Sequence, residues 1–525
     1  MPFFKDEYYA LMLKIIFISV SGFMFFFILF SDFREIIFRV PDDASYYLKI
    51  AENYNSGKGF SFDGIHKTNG FQPLWQYMLI ALTFVSRTNA ETTLRIVLIL
   101  QVILLFISGF LFYKFLSNQF TKRIILICGM IFILFVFFQS VNAMETALLV
   151  LMISIILYFS ERVKILDTYN LKYDFILGIL FGLLVLTRLD SIFFAVPAGI
   201  FLIVKVCSDK SVNKSYTGFI LILSGFVLVT APYLIYNYSE FGSIIPVSGY
   251  LKSAFPEIAF KDKLSNLLKY RETYFALCSV IYLMWYIKNS VKGSSDIYKT
   301  YLAVMSAGNI LLFAYMIFFL NWVIFPWYFI TYSLFVSLAV CVPVKYFFSR
   351  NNSRTAEIIY LSITLFISLY WGIKTFNFYL TDQKTLGGNW NIESYNASQW
   401  AKRNTGTGDV FAMKDAGNFG FFSGRSVINL DGLVNNFDYQ EVLRKKDLNT
   451  YLKDNAVKYI VQHAVWDRDD ITTGEYDSLS INYFSHKYSA ESDPVILKKK
   501  NEIYRSEPYY DGEYKSVFLI WRYDH

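Results

Sequence analysis

Apolar positions along this chain come in long runs separated by short polar connections, and near residue 376 the pattern changes. Crossing a bilayer takes ~20 apolar residues. Runs approaching that length predict about eleven spans, near 11–31, 95–116, 124–140, 146–160, 174–187, 191–206, 217–236, 273–288, 300–320, 326–346 and 356–376. Residues 73–86, PLWQYMLIALTFVS, are apolar but short and open on a proline. They read as a helix lying in the interface or dipping into it, not as a crossing.

Charge tests this count. With the N-terminus inside, the inner connections carry Lys114, Lys122 and Arg123; Arg162, Lys164 and Lys172; Lys205, Lys210 and Lys214; Lys288, Lys292 and Lys299; and Lys345, Arg350 and Arg354. Every one is basic, as the positive-inside rule asks. Counting 73–86 as a crossing inverts everything downstream and breaks that agreement. The outer segments are then 32–94, 141–145, 188–190, 237–272, 321–325 and 377–525. The first apolar run has no small-residue cleavage site before Asp32 and reads as a retained span.

Beyond 377 the chain is rich in Asn, Asp, Lys and Tyr. NIESYNASQWAKRN predicts an amphipathic helix. DVFAMKD and RSVINLDGLVN predict strands around a short helix, AGNFGFFSG. YQEVLRKKDLNTYLKDN predicts one or two helices, KYIVQH a strand, and Tyr504–Tyr523 strand pairs. The fold class that follows is a polytopic α-helical membrane protein with a C-terminal soluble α/β domain. The domains are 1–376, with outer loop 32–94, and 377–525 on the outer side.

Composition agrees: 525 residues, 55% hydrophobic and 17% charged, with 53 Phe and 40 Tyr. The net charge of +7 sits largely in short inner loops and is no nucleic-acid signal. The four cysteines lie in or beside apolar runs without CxxC spacing, which supports neither a zinc site nor a disulfide framework. No P-loop, GxGxxG, HExxH or GxSxG stands in a suitable context, which argues against ATP-driven or zinc chemistry. Span interiors are almost free of ionisable residues and no inverted repeat is visible. Both absences speak against a transporter.

The candidate chemistry falls in the outer segments. Asp42 and Asp43 open the stretch PDDASYYLKIAENYNSG just past the first span. Neighbours in sequence cannot share a helix face, so one acid can meet a cavity while the other caps or orients. Glu145, in NAMETALL, is a second acid on that side, able to orient a partner, hold a divalent cation or favour the next helix N-terminus. Arg188 and Asp190 form an RLD turn, either as a structural pair or with the arginine meeting an anion. Lys252 follows Gly242, Pro246 and Gly249, whose spacing predicts a fixed turn. With Arg95, His66 and Lys67 it is a candidate phosphate ligand. Trp75, Trp327 and Tyr328 are candidates for a groove facing a sugar or lipid chain, with Asp190 beside them, or are plain interfacial aromatics.

Taken in order, DDASYYLKIAENYNSGKGFSFDG, TNGFQPLW, METALL, TRLD, FGSIIPVSGYLKS and GNFGFFSGRSVINLDGLVN resemble the GT-C glycosyltransferases. These are membrane enzymes that take sugars from polyprenyl-phosphate donors. The acidic pair and its spacing to Ser56-Gly57 are similar to the lipid A aminoarabinose transferases. The fuller pattern is similar to bacterial arabinofuranosyltransferase-like members. The resemblance implies a GT-C fold and an inverting transfer from a polyprenyl-phosphate sugar to a glycan, lipid or protein acceptor. The site implied is the outer face of a bacterial plasma membrane. It also implies Asp42 as general base, Asp43 and Glu145 as supporting acids near acceptor or metal, and Arg188 as the basic residue of an R-x-D/E turn. No cofactor is firmly expected, and a divalent metal stays open. An oligosaccharyltransferase or ligase using a diphosphate-linked glycan is the alternative, and a lipid-linked-sugar flippase a weaker one.

Overall fold

The structure is a computed structural model. It describes residues 5–165, 170–208, 212–258, 267–268, 270, 273–290, 296–350, 353–380, 390–463, 469–485, 487–511 and 514–524. Each apolar run named above falls on a helix. Among the described residues, eight helices are long and apolar enough to cross a membrane, from Asp6–Phe30 to Thr355–Lys374. Helices Thr146–Arg162, Leu171–Thr187 and Thr273–Ser290 complete the bundle. The stretch Lys122–Ser140 contains one π-helical turn, Ile133–Phe137, whose side chains are all buried.

The loop after the first span is tied together by its own polar groups, with Asn53 Nδ2 donating to the Ser61 and Phe62 carbonyls and Asp63 Oδ1 accepting the Ile65 and His66 amides. Pro41 precedes a helix, Asp42–Asn55, which fits the preference for proline and acids at helix starts. The short apolar run forms a 14-residue helix, Pro73–Ser86. Its N-terminal turn faces inward: Gln76 Nε2 donates to the Tyr47 carbonyl at 3.0 Å and Trp75 Nε1 to the Ala143 carbonyl at 3.2 Å.

The last apolar helix runs through Leu380 and the tail resumes at Trp390, so the expected boundary at 376/377 falls inside a helix and the linker 381–389 lies outside the described residues. The tail holds a five-stranded sheet in the order 426–429, 410–413, 457–463, 518–522, 502–505. The first three strands run parallel and the last two join antiparallel. Two small hairpins, 478–481 with 495–498 and 484–485 with 490–491, were not anticipated. Strands this short carry too little alternation to register as a period.

The tail is packed onto the loop that follows the first span. One continuous apolar core includes Ala44, Tyr46 and Phe62 from the loop with Phe411, Phe419 and Phe518 from the tail. The approach is close at two glycines. A Cβ on Gly417 would stand 2.2 Å from the Asp42 carbonyl, and one on Gly70 would stand 1.9 Å from the Leu433 carbonyl.

Candidate active site

Helical geometry decides what the acidic pair does. Adjacent residues on a helix point about 100° apart, and residues four apart share a face. Asp42, Ser45 and Tyr46 therefore face the tail. Asp42 accepts the Gly417 amide on Oδ2 at 2.9 Å and the Asn418 amide on Oδ1 at 2.6 Å. Ser45 Oγ donates to Asn418 Oδ1 at 2.6 Å. The Tyr46 hydroxyl donates to Asp431 Oδ2 at 3.0 Å, an oxygen that also accepts Asn429 Nδ2 at 2.9 Å and the Asp415 amide at 3.1 Å.

Asp43 and Tyr47 face the other way, into a cavity of about 510 Å³. Its polar wall carries Asp43, Glu145, Arg188, Asp190 and Lys252. Arg188 is held between two carboxylates. Nη1 meets Glu145 Oε1 at 2.8 Å, while Nη2 and Nε meet the Asp190 oxygens at 2.7 and 3.0 Å. The Tyr47 hydroxyl closes this cluster on Glu145 Oε2 at 3.0 Å. Lys252 is only loosely paired, 3.9 Å from Asp43 Oδ2. An apolar stretch of the lining is built from Ile192, Phe193, Leu312 and Met316 of two membrane helices, with Trp327 and Tyr328 at the turn before a third.

The loop that presents Glu145 is fixed from below. Gln101, in the span Ala90–Ser117, accepts the Asn142 and Ala143 amides on Oε1 at 3.0 and 2.7 Å. Asn142 Oδ1 in turn accepts the Met144 amide at 2.9 Å. Gln72 Oε1 accepts the Leu189 amide at 3.0 Å and so holds the RLD turn. Lys252 ends a short helix, Val247–Lys252, where the spacing predicted only a turn. The turn itself stops at Pro246, which caps that helix.

Burial raises the Asp43 carboxyl above its ordinary range, with Lys252 pulling it back. Burial also raises Glu145 against the pull of Arg188. Burial alone would lower Arg188, but Asp190 and Glu145 outweigh it and hold the guanidinium above its usual value. Arg188 is thus charged and nearly saturated, whereas Lys252 keeps donors to spare.

Seven residues singled out in the sequence meet at this cavity: Asp43, Glu145, Arg188, Asp190, Lys252, Trp327 and Tyr328. Five do not. Asp42 is spent on the tail amides. Arg95 donates to the Ile28 and Ser31 carbonyls at the end of the first span. His66 Nδ1 pairs with Asp63 Oδ2 at 2.7 Å, and Lys67 pairs with Glu240. Trp75 is fully buried beneath the Ala143 carbonyl. Sequence reasoning missed Tyr46, Tyr47, Gln72 and Lys487, all in the lining. The signal for the tyrosines was present, since each lies four residues after one of the acids. Among the described residues, no group of three or more His, Cys, Asp or Glu is placed to hold a metal ion. The carboxylates on this wall are instead matched to Arg188 and Lys252.

Residues 72–236 match the family model described as dolichyl-phosphate-mannose-protein mannosyltransferase. That model belongs to the GT-C superfamily, and it covers less than half of the chain. Glu145, Arg188 and Asp190 lie inside the matched segment, with the acidic pair before it and Lys252 after it. The match supports a polyprenyl-phosphate-sugar-dependent glycosyltransferase. Residues 385–510 match a domain of unknown function, DUF8728. No curated protein matches the chain.

Proposed function

We propose that this protein transfers a sugar, with inversion, from a polyprenyl-phosphate donor to an acceptor hydroxyl on the outer face of the membrane, and that Asp43 is the base. The observation that carries this reading is a single cavity in which one carboxylate and one ammonium, Asp43 and Lys252, are only loosely paired, while Glu145 and Asp190 are held by Arg188 and membrane-helix side chains form an apolar stretch of the same lining. A prenyl chain suits the apolar stretch, and a phosphate at its end reaches Lys252.

Asp43 takes the proton from the acceptor hydroxyl as that oxygen attacks the anomeric carbon. The bond from the anomeric carbon to the phosphate oxygen breaks, and its electron pair leaves with the polyprenyl phosphate. The donor phosphodiester carries one negative charge and the departing monoester up to two. A cation that is not already neutralised is needed where that charge grows. Lys252 fits better than Arg188, whose donors face Glu145 and Asp190. Arg188 instead fixes those two acids and the wall they belong to.

The basic inner connections support an outer-face site and a tail on the same side. The test is transfer by the full-length protein in nanodiscs, supplied with a panel of polyprenyl-phosphate sugars and a glycan, lipid or peptide acceptor. Turnover of at least one donor with inverted product, lost in Asp43→Asn, supports the reading. A retained anomeric configuration, or no turnover of any monophosphate donor where a diphosphate-linked glycan is used, overturns it.

A further inference from the structure

A second pocket, of about 160 Å³, lies between the tail and a turn of the membrane part, apart from the residues assigned to transfer. Lys414, Asp431, Gln462, Asn482 and Tyr483 supply its polar lining. Trp322, from the turn between two membrane helices, and Phe484, from the tail, add aromatic faces. The pocket is therefore shared by the two domains.

Two polar atoms in this lining, Tyr483 OH and Gln462 Oε1, are buried with no hydrogen-bond partner among the described residues. Tyr483 is only 3% exposed. Buried polar atoms are almost always partnered, so two orphans lining one small pocket mark positions where a ligand's own groups belong. A phenol hydroxyl both donates and accepts, and an amide oxygen accepts, a pair matched to hydroxyl groups. Lys414 and Asp431 contribute one charge of each sign. That balance favours a neutral polyol over a phosphate. Aromatic faces beside planar polar groups suit the C–H face of a sugar ring.

The pocket is also coupled to the main cavity. The Trp322 ring lies 6.0 Å from Lys252 Nζ, and Asp431 receives the Tyr46 hydroxyl at 3.0 Å. Lys252 and Tyr46 both line the catalytic cavity. One indole and one hydrogen bond separate the two spaces.

We propose that this pocket is a subsite for a neutral sugar ring of the acceptor, held by Lys414, Gln462, Asn482 and Tyr483 between Trp322 and Phe484. The name acceptor rests on the transferase reading, whereas the sugar-binding chemistry does not. Full-length protein in nanodiscs is mixed with a panel of methyl hexopyranosides and methyl pentofuranosides, and binding is read by saturation-transfer NMR against empty nanodiscs. At least one glycoside is expected to bind, and Tyr483→Phe with Gln462→Leu to abolish its signal. Lys414→Ala, at an exposed position that leaves the fold intact, is expected to raise Kd about tenfold. No binding across the panel, binding unchanged in Lys414→Ala, or binding of short peptides in place of glycosides overturns the proposal. Because no donor is present, these outcomes are independent of the turnover assay. Turnover with an unchanged acceptor KM in Lys414→Ala sinks the subsite and leaves the transferase reading standing.

Discussion

The two adjacent acids are expected to fail in different ways when each is changed to asparagine. Asp42 accepts two buried backbone amides, at 2.9 and 2.6 Å, from the first turn of the tail helix Gly417–Ser423. An asparagine keeps one oxygen and points an NH2 group at the other amide. One charge-assisted bond is lost and one buried N–H is left unpaired, which costs about 1–3 kcal/mol. Asp42→Ala strands both amides and costs about 2–5 kcal/mol by the same reasoning. Asp43 makes no such contact. Its side chain is 24% exposed, its one ionic neighbour is 3.9 Å away, and Asp43→Asn should change stability by less than about 1 kcal/mol. Its transfer rate, however, should fall about 10²–10⁴-fold, the contribution of a positioned base. Hydrogen exchange over residues 416–423 and thermal unfolding report on docking, and single-turnover transfer reports on the base. Loss of amide protection in Asp42→Asn with residual transfer, beside normal protection and lost transfer in Asp43→Asn, is the expected pattern. The reverse pattern, a well-docked but inactive Asp42→Asn beside an active Asp43→Asn, refutes the assignment.

Burial raises Asp43, and only its ionised form accepts a proton, so activity should fall on acidification at a pH above the usual carboxylate range near 4. A kcat/KM profile of the wild type checks this, and Lys252→Met, which removes the opposing charge, should move that limb further up. The same Lys252→Met change removes the loosely paired cation and should lower kcat/KM for the donor about 10–100-fold. An unchanged donor KM and kcat would exclude the lysine from the phosphate. Gly417→Ala places a Cβ 2.2 Å from the Asp42 carbonyl and should undock the tail, seen as faster exchange over 42–47. Gln101→Leu strands the Asn142 and Ala143 amides and should weaken transfer by shifting Glu145, with binding of the tail unchanged.

Much of the membrane part is legible because hydrophobicity is a local property. Apolar runs mark each long helix, and the short apolar helix Pro73–Ser86 stands apart by its length. Side-chain roles are less legible where a partner lies far along the chain. Asp42 and Asp43 are equivalent in the sequence, and only the tail amides, 375 and 376 positions away, tell them apart. His66 and Lys67 look like phosphate ligands in a glycine-rich turn. Asp63, three residues upstream of His66, and Glu240, on the helix Val212–Phe241, already hold them. Trp75 looks interfacial because it opens a short apolar helix, but that end of the helix points down onto the Glu145 loop. Arg188 is the intermediate case: its pair with Asp190 is local and visible, while Glu145 joins it only through the fold.

The tail is therefore better understood as half of the candidate site than as an appendage. One face of a single 14-residue helix, Asp42–Asn55, binds the tail and the other lines the cavity. Any displacement of the tail must be felt within one helical turn of Asp43, because Asp42 and Tyr46 bracket it in sequence and both bond to tail groups. The tail also supplies Leu433, Val434 and Lys487 to the cavity wall. A membrane bundle alone would leave the Asp43 carboxylate open to water, where burial could no longer raise it. Docking closes that side and gives Asp43, the proposed base, a poorly solvated setting.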